Sequence, residues 1–213
     1  MKFVSLTLIV GLLSASYPAS HLDAQKTVPA RPLERLAAEH MLVLPVQYMT
    51  FSDSMGWSAM APSSREYLAT MDDEITFALS ERGLGTQWKF AADISRSAAR
   101  NFGYAPDPHA LAANQLRSGA KSDAWQLSEP LASQLRSLAA LTEARYVMVP
   151  VEVRTTGGRS TGRATLHVVV IDARRSQVQW AGDVTGMQTT KFSPAIAADI
   201  GSRLADLVAP QAN

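Results

Sequence analysis

The sequence predicts an α+β domain: a mixed sheet ending in an antiparallel meander, with helices packed mainly on one face. Three observations carry that reading. Val147, Val149, Val151 and Val153 alternate along one strand, and Ala164, Leu166, Val168 and Val170 along a second. Glycine-rich and polar turns at 157–162 and 172–177 join these runs to a third strand that starts at Val178. Such turns between alternating runs mark a meander. Apolar residues at helical spacing before and after it supply the covering layer.

Taken in order, the chain opens with Lys2, an apolar run over residues 3–13 and a small-residue stretch over 14–20. This is the pattern of a cleavable signal peptide, too short for the roughly 20 apolar residues a membrane span needs. Residues 1–24 are therefore expected to be removed after Ala24, with a cut after Ser16 as the alternative. Residues 25–36, with Pro29 and Pro32, read as a flexible arm, and residues 37–210 as a single α/β domain. The mature chain of about 190 residues is long enough to bury an ordinary core. It needs one, because the chain has no cysteine and so no disulfides.

Residues 41–48 form a near-continuous apolar run, as expected of a strand buried on both faces, although Pro45 has no N–H for a central ladder. Residues 50–64 read as a loop. Residues 67–82 carry Leu68, Met71, Ile75 and Leu79 at helical spacing, with Gly83 as terminator. Trp88 to Phe90 suit a short strand. Residues 93–117 suit two short helices, the second opened by Asp107 and Pro108. Residues 131–144 give a helix with Leu131, Leu135 and Leu138 on one stripe. A closing helix opens at Ser193 and Pro194, with Ile196, Ile200, Leu204 and Leu207 on one face. Val149, Val151, Leu166 and Val168 are the expected centre of the core.

The chain has 20 Lys+Arg and 19 Asp+Glu. The expected cleavage removes one of each sign, Lys2 and Asp23. This balance carries no electrostatic footprint for nucleic acid or an anionic membrane. Asp72, Asp73 and Glu74 are consecutive, so on a helix they fan apart rather than converge on a metal. His40, His109 and His167 lie on separate elements without metal-ligand spacing, and His167 suits a half-exposed strand position. A pairing of His109 with a serine stays open, but no nucleophile-elbow motif supports it. Arg154, Arg159, Arg163, Arg174 and Arg175 read as solvated turn charges. No cofactor or metal site is expected. The segment 49–60 is the most suggestive: Met55, Trp57 and Met60 on a loop offer an apolar patch for a protein partner. Packing of Trp57 onto its own core is the competing reading. A cleft beside Trp88, Trp125 or Trp180 would instead suit a small molecule or glycan.

The layout also resembles a known domain. Residues 43–46 (Val-Leu-Pro-Val) precede a long helix ending in glycine. Residues 143–151 (Glu-Ala-Arg-Tyr-Val-Met-Val-Pro-Val), 168–173 (Val-Val-Val-Ile-Asp-Ala) and 178–180 (Val-Gln-Trp) then precede an amphipathic helix. This resembles the α/β domain shared by the amino-terminal part of TolB, the curli-secretion lipoprotein family and lipoprotein activators of penicillin-binding proteins. The resemblance implies a non-catalytic exported accessory module of the cell envelope, periplasmic or secreted, with another envelope protein as partner. It is one of pattern, and no family residue carries over. The absent lipobox cysteine departs from the lipoprotein members, and no propeller repeats follow the domain as they do in TolB.

Overall fold

The computed structural model describes residues 31–52, 56–61, 63–118, 125–158 and 160–210. The expected signal peptide lies outside them. β4 (Tyr146–Gly157), β5 (Gly162–Asp172) and β6 (Gln177–Thr185) form the antiparallel meander. β1 (Met41–Val43) and β2 (Tyr48–Phe51) lie end to end along the other side of β4, both parallel to it. β3 (Trp88–Lys89) pairs in parallel outside β1. The order is β3-β1-β4-β5-β6, a mixed sheet with its antiparallel part at the carboxy-terminal end, as the sequence predicts.

Pro45 divides the predicted first strand in two. Around it the ladder continues only through Leu44 N–H to Met148 O (3.0 Å) and Gln47 N–H to Pro150 O (3.1 Å). Opposite the break, β4 carries a bulge between Pro150 and Glu152. One extra residue reverses the inward and outward alternation. Val147, Val149 and Val151 consequently face one side of the sheet, whereas Val153 faces the other with Met148.

Each face carries its own core. On the first, Tyr67, Met71, Ile75 and Leu79 of α2 (Ser64–Glu81) join Ile196, Ile200 and Leu204 of α6 (Ala195–Asp206) over Met148, Leu166, Val168 and Val170. On the second, Ile94 of α3 (Ala91–Arg100), Leu116 of α4 (Asn114–Arg117) and Leu131, Leu135 and Leu138 of α5 (Leu131–Leu141) cover Val147, Val149, Val151, Val169 and Ile171. The expectation of helices mainly on one face is thus corrected. Residues 168–171 are all fully buried, and a run without polar alternation needs cover on both sides.

Local rules set the helix limits. Ser63 and Glu66 form a reciprocal capping box at the start of α2, and Gly83 follows it with φ 78°. α6 crosses α2 at Gly201, where a Cβ would lie 2.8 Å from Glu74 O.

Two element boundaries differ from expectation. The last part of the predicted flexible arm is docked: Leu33 and Leu36 are buried around a 3-10 turn (Glu34–Leu36), and Leu33 N–H bonds Leu207 O at 3.1 Å. Two leucines three residues apart share one side of that turn and outweigh the polar residues around them. The second short helix begins at Asn114 rather than at Asp107. The Asp107 carboxylate instead accepts from His109 N–H (2.9 Å) in a local turn.

Candidate functional site

The predicted binding loop divides between core and surface. Trp57 opens a single-turn helix, α1 (Trp57–Met60), and is only 1% exposed. Its ring meets Phe192 edge-on at 5.7 Å and lies against Gly162, where a Cβ would come within 2.9 Å of it. Partial exposure therefore holds for Met60, at 53%, and is corrected for Trp57. The physical reason is the pocket that Phe51, Tyr67 and Phe192 provide beside a glycine. Met55 lies outside the described residues.

Among the described residues, the most exposed aromatics are Phe102 (88%) and Tyr104 (91%). They flank Gly103 just after α3, and the chain then doubles back along that helix. Gln47 Nε2–H donates to Pro108 O (2.9 Å), and Ser95 Oγ lies 3.1 Å from His109 Nε2. The underlying side of α3 is shallowly grooved, lined by Ala98, Ala99, Ala105 and Pro106 beside Phe102. Sequence reasoning missed this pair. Its signal was two aromatics around a glycine between a helix end and Asp107-Pro108, where no apolar periodicity gives them a core to join. The Ser95–His109 contact lies on open surface. Among the described residues no carboxylate bonds His109 Nδ1.

A crevice of about 440 Å³ opens where the chain leaves β1, lined by Val46, Gln47, Arg65, Leu68, Ala69, Asp72 and His109. β1 runs on through β2 and α1 to α2 over the first face, whereas β3 leads directly to α3 over the second. The carboxyl ends of these neighbouring parallel strands thus diverge, the position at which open sheets of this kind place ligands. Asp72 Oδ1 accepts from Val46 N–H (2.8 Å), the amide released by the Pro45 break. Burial pushes the Asp72 carboxyl up from 3.8 to about 7; the Val46 hydrogen bond lowers it in part and Asp73 raises it further. The folded value lies above the unfolded one, so the folded chain binds more protons between about pH 4 and pH 7. Stability from this group is full at the acid end and is lost as pH rises. Asp72→Asn keeps the acceptor for Val46 and removes the proton. Against it, the wild type is expected to lose melting temperature from pH 5 to pH 8. Parallel pH dependences in thermal melts of the two proteins contradict this assignment.

Beyond the bulge, the second face becomes polar. Thr50 Oγ1–H donates to Glu152 Oε1 (2.6 Å), which also accepts from Arg117. The Arg117 guanidinium lies 4.9 Å over Tyr48. Arg154 stands 3.5 Å from Glu152 and 3.8 Å from Asp183, whose Oδ1 lies 2.7 Å from His167 Nδ1. Burial raises the Glu152 carboxyl, and the bonds from Arg117 and Thr50 more than offset it, leaving it below its ordinary value. His167 is buried at 6% exposure, which corrects the half-exposed reading. The bulge turned Glu152 onto its face as a cross-strand neighbour. Arg154, its side chain 40% exposed, also joins this network, while Arg159 lies outside the described residues.

Trp88 is buried on the first face, where Trp180 also packs, and Trp125 packs on the second. Among the described residues no three His, Asp or Glu groups converge on a metal position. No helix among them is long and apolar enough to cross a membrane.

No family model and no curated protein matches the sequence. Among solved structures, the chain is similar to Escherichia coli LpoB (14% identity, 87% of this chain and 84% of that one, TM-score 0.38). It is also similar to the PelC dodecamer subunit from Paraburkholderia phytofirmans (11% identity, 82% and 91%, TM-score 0.40). A third is lipoprotein GNA1162 from Neisseria meningitidis (11% identity, 74% and 88%, TM-score 0.34).

Proposed function

We propose that this chain is a non-catalytic exported accessory module that binds another envelope protein in the periplasm or outside the cell. The observation that carries the reading is the aromatic pair Phe102 and Tyr104, 88% and 91% exposed two residues apart. Aromatic rings supply large contact area at small entropic cost, and paired exposure of this kind marks an interaction surface. A domain that buries Trp57 and Trp88 to 1% has no need of these rings for its own stability. Met60, from the loop singled out in the sequence and 53% exposed, is a separate candidate contact.

The test is site-specific photocrosslinking in intact cells of the source organism. Probes at positions 102 and 104 are expected to give one discrete adduct with an envelope protein. A probe at half-exposed Ser202, on α6 across the sheet, is expected to give none. Identical adduct patterns from all three positions contradict the assignment.

A further inference from the structure

We propose that the crevice beside Pro45 is a binding site for a small zwitterion of tripeptide size, its ammonium held by Asp72 and its carboxylate by Arg65. Both side chains belong to one stripe of α2. Arg65, Leu68, Ala69 and Asp72 stand at positions i, i+3, i+4 and i+7, so they line a single face of the helix. Seven residues of helix rise about 10 Å, and three extended residues also span about 10 Å. The two ends of such a ligand match the two charges, and the apolar stretch between them meets its middle.

Neither side chain has an ionic partner among the described residues: Asp72 and Arg65 form no ion pair with each other or with any other group. The Asp72 carboxylate is largely desolvated and has only the Val46 amide as a donor. Burial favours the protonated Asp72 carboxyl, and a ligand ammonium beside it favours the ionised form instead. The opposite wall is held rigidly. Gln47 bonds both Pro45 O (2.7 Å) and Pro108 O (2.9 Å), which ties the strand break to the segment that carries His109. The crevice volume of about 440 Å³ falls in the range of small-ligand clefts. The site uses neither Phe102 nor Tyr104, so it stands apart from the partner-binding reading.

The experiment is an NMR titration of the full chain with trialanine, followed at the amides of Val46, Gln47 and His109. Saturable shifts are expected at these positions. N-acetyl-trialanine lacks the ammonium and trialanine amide lacks the carboxylate; each is expected to bind at least about tenfold more weakly. Asp72→Asn, which retains the acceptor for Val46, and Arg65→Gln are expected to weaken trialanine equally while the melting transition persists. Phe102→Ala with Tyr104→Ala is expected to leave the titration unchanged. Equal binding of the free and blocked peptides, or no saturable shift with trialanine, overturns the proposal.

Discussion

Trp57→Ala is expected to destabilise the domain by about 3–5 kcal/mol, the range for removing a buried large aromatic. The indole fills a space bounded by Phe192, by the backbone at Gly162 and by the helix carrying Tyr67. A cavity there has little means of collapse, because Tyr67 and Phe51 already pack on Phe192 at 4.8 and 6.0 Å. Met60 sits three residues on and is 53% exposed, so Met60→Ala is expected to change stability by no more than about 0.5 kcal/mol. Chemical denaturation of the two variants checks the contrast. A Trp57→Ala midpoint equal to that of the wild type would return Trp57 to the surface.

Leu166→Ala and Ile171→Ala are each expected to cost about 2–5 kcal/mol. The two residues lie on one strand and point to opposite faces. Leu166 faces α2 and α6, and Ile171 faces the core built from α3 and α5. Both are fully buried. A domain with helices on one face would leave one of these positions in water, where truncation costs little. Denaturation of both variants therefore tests the two-faced architecture. A large loss for Leu166→Ala beside a neutral Ile171→Ala contradicts it.

The same residues explain how far the sequence was legible. The meander was readable because alternation and turn chemistry agree at residues 147–153, 164–170 and 172–177. The second layer of helices was not, because alternation at Val147, Val149 and Val151 predicts one buried face, whereas Met148 and Val169 at intervening positions are buried too. The bulge at Val151 has no local signature beyond Pro150, yet it decides that Glu152 and His167 share a face. Trp57 shows a related limit. A serine-rich segment with one glycine reads as loop, and the burial of its tryptophan depends on Phe192, 135 positions later in the chain. Phe102 and Tyr104 have the reverse character: nothing in their surroundings requires them, and their exposure emerges only once every neighbouring face is filled.

The central claim is that an exposed aromatic pair on a self-sufficient fold engages another envelope protein. The direct measurement is the dissociation constant between the purified chain and the protein crosslinked at position 102. It is determined for the wild type and for Phe102→Ala with Tyr104→Ala. Loss of two interfacial aromatics is expected to weaken binding by at least about 30-fold, some 2 kcal/mol, with the melting temperature unchanged. An unchanged dissociation constant in a fully folded double variant would contradict the account.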